Sequence, residues 1–177
     1  IFWLTIFVYI RSKEASASHT GIAMALSVFI YLILDGIFMN FATIAAISTP
    51  PGKGGVAVLR VSGSEAFEVA KKVFRPIGGK NFDSLPARYQ VYGHIVDPDH
   101  DDTILDDGLL TCFVSPHSFT GENVVEIACH GGEVITGVIL SALIRAGAAP
   151  AGPGEFTRRA FISGKLSLTA AEAVADI

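Results

Sequence analysis

The sequence is short of cysteine, of positive charge and of any run long enough to cross a membrane. Two cysteines in 177 residues, Cys112 and Cys129, cannot build a disulfide framework. Both sit inside apolar runs, the setting of buried free thiols, and they fit a reducing, cytoplasmic compartment. Lysine and arginine total 13 against 17 aspartate and glutamate, a formal net charge of −4. A chain held to nucleic acid mainly by phosphate contacts carries a basic surplus. Without one, contact with RNA would rest on a local patch, another domain or a partner. Low hydrophobicity is also missing: half of the residues are hydrophobic and the mean hydropathy is +0.49, which excludes a disordered chain.

The apolar excess is gathered at the start, where 27 of the first 41 residues are hydrophobic; the remainder has ordinary globular composition. Ile1–Ile10 and Ile22–Leu34 are apolar around a polar stretch, Arg11–Thr20. Ile22–Leu34 is thirteen residues without a charge, short of the roughly 20 that span a bilayer. Extending it to Phe41 buries Asp35, at about 2.5–3.5 kcal/mol near the membrane centre. A secretory leader needs a basic start and a small-residue cleavage site, and Ile1 has neither before it. Residues 1–38 are therefore expected to lie outside the functional domain, which starts near Met39, with a membrane tether as the alternative.

From Thr43 onward the patterns are orderly. Thr43–Thr49 and Val56–Val61 read as strands around the Pro50–Gly55 turn. Ser62 and Glu65 match a capping box ahead of a helix whose apolar positions run from Ala66 to Phe74. Tyr89–Val96 and Leu109–Ser115 read as paired strands around an acidic turn, Asp97–Asp107, and Asn123–His130 as a further strand. Val134–Ala146 is an apolar helix that Gly147 ends, Glu155–Phe161 a helical turn, and Thr169 with Glu172 a second capping box. The order β-β-α-β-β-β-α-α predicts an α+β domain, a mixed β-sheet with helices packed on one face.

Most chemical motifs fail on context. Gly52-Lys53-Gly54-Gly55-Val56-Ala57 fits G-x-G-x-x-A in letters, but a strand follows where the fingerprint needs a helix N-terminus. Gly164-Lys165 is not a phosphate loop, because Arg159 stands at the first glycine and Leu166 at the Ser/Thr position. His94, Asp97, Asp99, His100, Asp101 and Asp102 could hold a hard cation, yet acidic residues are common at hairpin tips. Cys129 and His130, adjacent on a strand, point to opposite faces and make no catalytic pair. Three charges are harder to place: Arg60 among Val56–Val61, Glu126 between Val125 and Ile127, and Lys165 in a Gly-rich connection. Charges in strands this apolar are paired, lie at a strand end or meet a ligand. Spacing leaves open an Arg60–Glu126 ion pair, exposed strand ends, or a small polar, anionic ligand.

Taken together, three blocks carry a resemblance. Thr43–Gly63 resembles the opening of the TrmE/MnmE family of tRNA-modification GTPases. Ser118-Phe119-Thr120-Gly121-Glu122-Asn123-Val124-Val125-Glu126, with His130-Gly131-Gly132, resembles its second signature. Pro153–Phe161, Gly164-Lys165-Leu166 and Ala171–Val174 resemble the third. The resemblance implies a fold related to the tetrahydrofolate-binding domain of one-carbon enzymes, over residues 39–165. It also implies a homodimer formed through this domain and a bound 5-formyltetrahydrofolate near the dimer interface. Carried over position by position, the folate contacts fall on Arg60, Glu126 and Lys165, with no catalytic residue and no protein-bound metal in this part. Family members modify the wobble uridine of tRNA together with an FAD-dependent GidA/MnmG-type partner, reaching tRNA through the full complex. Their GTP, Mg²⁺ and monovalent-cation sites belong to a domain inserted in a later helical region, of which residues 166–177 are expected to be the start. The competing expectation is a structural module that dimerises or docks a partner, with the charges as ion pairs and no ligand.

Overall fold

The computed structural model describes residues 42–52 and 54–175; the expectations for residues 1–38 and for Met39 lie outside them. Strand β1 (Ile44–Ile47) leads to β2 (Val56–Ser62), helix α1 (Ala66–Val73) and a short β3 (Phe74–Pro76). A 3₁₀ turn at Phe82–Ser84 precedes β4 (Gln90–Asp97), β5 (Thr103–Phe113) and β6 (Val124–His130). Helix α2 (Glu133–Arg145), β7 (Ala149–Pro150), α3 (Glu155–Ile162) and α4 (Leu168–Ala175) complete the described chain. The strands form one sheet in the order β3-β4-β5-β6-β2-β1-β7. Every pairing is antiparallel except β1 with β7, so the sheet is mixed and the α+β expectation holds.

Alternation along the central strands sends one set of side chains toward the helices. Leu59 of β2 stands opposite Ile127 of β6, which stands opposite Leu110 of β5, and all three are fully buried. Helix α1 covers them with Ala66, Val69, Ala70 and Val73, helix α2 with Ile139, Ala142 and Leu143. These are the spacings of a core-facing helical stripe, and each large aliphatic side chain so buried contributes about 1.5–3 kcal/mol. The other set, which includes Val58, Arg60 and Glu126, faces away from α1 and α2. Backbones close in where glycine allows it: a Cβ on Gly131 would run into the carbonyl of Gly54.

The structure corrects several local expectations. Ser62 does not cap α1, whose N-cap is Glu65 with no side-chain cap bond. Instead Ser62 ends β2 fully buried, and the Thr43 hydroxyl accepts the Glu65 amide at 3.0 Å. Gly63, at φ +142°, makes this turn against Thr43. At α4 the hydroxyl that accepts an amide is Ser167, from Ala170 at 3.2 Å, not Thr169. The acidic turn is shorter than Asp97–Asp107, because β5 begins at Thr103. Its charges are neutralised by neighbours rather than by solvent alone. Arg145 holds Asp97 at 2.7 Å and Asp99 at 2.8 Å, Arg75 holds Asp102 at 2.6 Å, and His94 pairs with Asp107. Among the described residues no group of three or more His, Cys, Asp or Glu is arranged for a metal ion, and no helix is long and apolar enough to cross a membrane.

Candidate functional site

Arg60 and Glu126 stand directly opposite each other on β2 and β6. The Arg60 Nε and Nη2 both donate to Glu126 Oε1, at 2.9 and 2.7 Å, so of the alternatives left by spacing the ion pair is the one formed. The side chains keep 24% and 30% of their surface exposed. This arrangement leaves Glu126 Oε2 and Arg60 Nη1 without a hydrogen bond to another described residue. Each partner therefore keeps one polar atom open. The Arg60 guanidinium also lies over two rings, 5.1 Å from the centroid of Phe119 and 5.7 Å from that of Phe156.

The two rings come from separate elements, the loop between β5 and β6 and the first turn of α3. One buried network joins these elements. Arg159, with 4% of its side chain exposed, donates through Nη1 to both Glu122 oxygens at 3.1 Å and through Nη2 to Glu155 Oε1 at 2.8 Å. Glu155 and Arg159 are one turn apart on α3 and so share a face. Glu155 Oε2 accepts the Gly152 amide at 2.8 Å. Glu122 Oε2 accepts the Ser62 hydroxyl at 2.7 Å, and Ser62 Oγ is 2.7 Å from Thr120 Oγ1. Ser163 closes the circuit by donating to the Thr120 carbonyl at 2.6 Å. The end of β2, the Phe119 loop and α3 are thus fixed to one guanidinium, which is why Ser62 is unavailable as a helix cap.

In front of Arg60 lies a cleft of about 920 Å³, bounded by Phe119, Phe156, Ser48, Pro153 and Val174. Its size is that of ordinary small-molecule sites. Glu126 stands behind Arg60 on the next strand rather than in the lining. Lys165 is exposed, and its side chain makes no hydrogen bond or ion pair with another described residue. Its stem runs beside Gly121, with Cε 3.5 Å from where a Cβ there would stand. The structure therefore joins Arg60 to Glu126 and brings Lys165 to the loop that carries Phe119, without a bond to either of the other two. Phe119, Phe156, Glu122, Glu155 and Arg159 were not legible as site residues from spacing. Their signal was membership of the two motif blocks 118–126 and 153–161.

Other reactive groups are quiet. Burial pushes the Cys112 and Cys129 thiols up to about 11, so both are neutral near pH 7 and neither is a nucleophile. Exposed His130 bonds Asp106 through Nδ1 at 2.7 Å, and that bond raises its pKa above the ordinary histidine value. The glycines at 52–55 open strand β2, so the dinucleotide pattern has no helix to work with.

Comparison with known proteins places this geometry in a family. Residues 43–165 match the family model described as GTP-binding protein TrmE N-terminus. The tRNA modification GTPase MnmE of Enterococcus faecalis is 49% identical over 139 residues, 78% of this chain and 30% of that protein. The Lactobacillus helveticus protein of the same name is 50% identical over 138 residues, 78% of this chain and 29% of its own length. That of Chloroflexus aurantiacus is 47% identical over 135 residues, 76% and 29% of the two chains. The chain thus spans about 30% of the length of the curated relatives it matches. With its two motif blocks joined at Arg159 and its paired Arg60 and Glu126 all inside the matched residues, the chain belongs to the TrmE N-terminal family.

Proposed function

We propose that this domain binds a reduced folate, 5-formyltetrahydrofolate first among them, and pairs with a second copy of itself. It would do so as the N-terminal part of a cytoplasmic GTPase that modifies the wobble uridine of tRNA with an FAD-dependent partner. GTP, Mg²⁺ and monovalent-cation chemistry would belong to parts of the parent protein beyond these residues. The observation that supports the folate reading is the Arg60–Glu126 pair, with Arg60 lining the cleft and one Glu126 carboxylate oxygen not bonded to another described residue. A carboxylate accepts the paired N–H groups of an aminopyrimidine edge. Arg60 and Lys165 would serve the formyl-bearing ring or the acidic tail. The fold relation to the folate domains of one-carbon enzymes belongs to the same proposal.

Titrating the chain with 5-formyltetrahydrofolate in a calorimeter tests it. Saturable heat that Glu126→Ala weakens at least about tenfold is expected; no saturable heat refutes the ligand. A second reading, a pairing module without ligand, is favoured by the exposed apolar residues Val56, Tyr92 and Leu109. It predicts a dimer in sedimentation velocity that folate neither forms nor tightens.

A further inference from the structure

Lys165 is the cation whose reach nothing at its own tip decides. Its side chain makes no bond to another described residue, and it lies outside the lining of the cleft. A lysine ammonium rides on a flexible four-carbon stem, so where it can act depends on how firmly its backbone is held. The Gly164 amide donates to the Phe161 carbonyl at 3.0 Å and the Lys165 amide to the Ala160 carbonyl at 2.8 Å, with Gly164 at φ +72°. These are the two bonds of a Schellman cap, and they tie Lys165 to the end of α3. Ser163, the C-cap residue, ties that cap to the loop between β5 and β6, its hydroxyl donating to the Thr120 carbonyl at 2.6 Å. The loop backbone can come this close because residue 121 is glycine: a Cβ there would stand 2.9 Å from Ser163 Cβ and Oγ. Arg159 and Ser163 lie one turn apart and share a helical face, and each reaches the same loop, at Glu122 and at Thr120. One anchor lets the end of α3 pivot against the loop; two anchors fix its direction.

We propose that Ser163 is a positioning residue for ligand binding: it holds the cap that carries Lys165 against the Thr120–Gly121 backbone, beside Phe119. The proposal rests on the folate reading, in which Lys165 meets the formyl-bearing ring or the acidic tail, and deepens it by naming what brings that ammonium within reach. The Ser163 hydroxyl is spent on the Thr120 and Ala160 carbonyls, at 2.6 and 3.2 Å, so it acts through Lys165 and not on the ligand. Without the hydroxyl the Arg159 anchor remains and the domain stays folded. Lys165 is then free to swing away from the loop, and binding must restore the lost order.

The test is calorimetry with 5-formyltetrahydrofolate on the full 177-residue chain, with Ser163→Ala made alone, with Lys165→Ala and with Glu126→Ala. Ser163→Ala alone is expected to weaken binding at least about threefold. In the Lys165→Ala chain it should add a factor below about 1.5, whereas in the Glu126→Ala chain it should keep its full effect. Equal losses in all three backgrounds overturn the positioning role, because a cap that merely loosened the domain would weaken every contact alike. Ser163→Ala that keeps the native circular dichroism and binds like the unaltered chain overturns the role while the folate reading stands, and so does Lys165→Ala that binds like the unaltered chain. No binding by the unaltered chain overturns the folate reading and the role together. Should Ser163→Ala fail to fold, nuclear Overhauser spectra of the labelled, ligand-saturated unaltered chain decide. A cross-peak between the Gly121 α-protons and the Lys165 ε-methylene supports the role, and its absence overturns it.

Discussion

Replacing Arg159 by methionine removes the cation at the centre of the site while keeping an unbranched side chain of similar length. Among its bonds to described residues the change deletes two to Glu122 at 3.1 Å and one to Glu155 at 2.8 Å. It strands Glu155, of which 6% of the side chain is exposed, with the Gly152 amide as its remaining donor. Glu122 suffers less, since 26% of its side chain reaches solvent and Ser62 still donates to it. Breaking a buried pair by removing one partner costs about 3–5 kcal/mol. With a urea slope of about 2 kcal/mol/M for a domain of this size, the midpoint falls by about 1.5–2.5 M. Urea titration followed by far-ultraviolet circular dichroism measures it. The reasoning makes a second, sharper demand: adding Glu155→Gln to Arg159→Met removes the stranded charge and should restore at least half of the loss, because an unpaired buried carboxylate, more than a missing attraction, sets the cost. Two single losses that simply add would refute this account, as would a single-variant loss below about 1 kcal/mol.

Two further outcomes follow from burial and charge. Native Cys112 and Cys129, with thiols pushed up to about 11 by burial, expose on the order of one thiolate in a thousand at pH 8; they should stay silent to a disulfide reagent until urea unfolds the chain, and prompt native reaction would contradict their placement. The His130–Asp106 pair should make stability depend on pH in a defined window. Burial pushes Asp106 up, but bonds from the His130 side chain and backbone outweigh it and hold the carboxyl low, so its contribution is present above about pH 4 and lost as pH falls through the lowered value. His130 is raised by the same bond, so its contribution is complete below about pH 6.5 and lost as pH rises through the raised value. Asp106→Asn should therefore lower the urea midpoint more at pH 5.5 than at pH 9, and an equal effect at both would count against the pair.

How far the site was legible differs residue by residue. Arg60 and Glu126 stood out because a charge inside an alternating apolar strand violates the pattern that defines the strand. That violation needs no tertiary information to be seen. Phe119 and Phe156 broke no pattern, since an aromatic residue in a loop or at a helix start is unremarkable until something is found beside it. Arg159 was visible as the wrong residue for a phosphate loop and as one position of a motif block, and its role emerges from partners 37 and 4 positions away in the chain. The capping boxes failed for a related reason: Ser62 fits the local motif, but buried Thr120 and half-buried Glu122 also engage its hydroxyl, and a bond to a charged carboxylate is stronger than one to an exposed helix end.

By itself, then, the sequence determined the α+β class, the five long strands with α1 and α2, and the two charges that do not belong in a core. It could do so because hydrophobic period and turn residues act within a dozen positions. Only the tertiary structure decided what those charges touch. The opposition of Arg60 to Glu126 depends on the register of strands 66 residues apart, and the cleft in front of Arg60 exists because Arg159 draws a loop and a helix to the same point. β3 and β7, three and two residues long, likewise exist only because a neighbouring strand offers them hydrogen bonds.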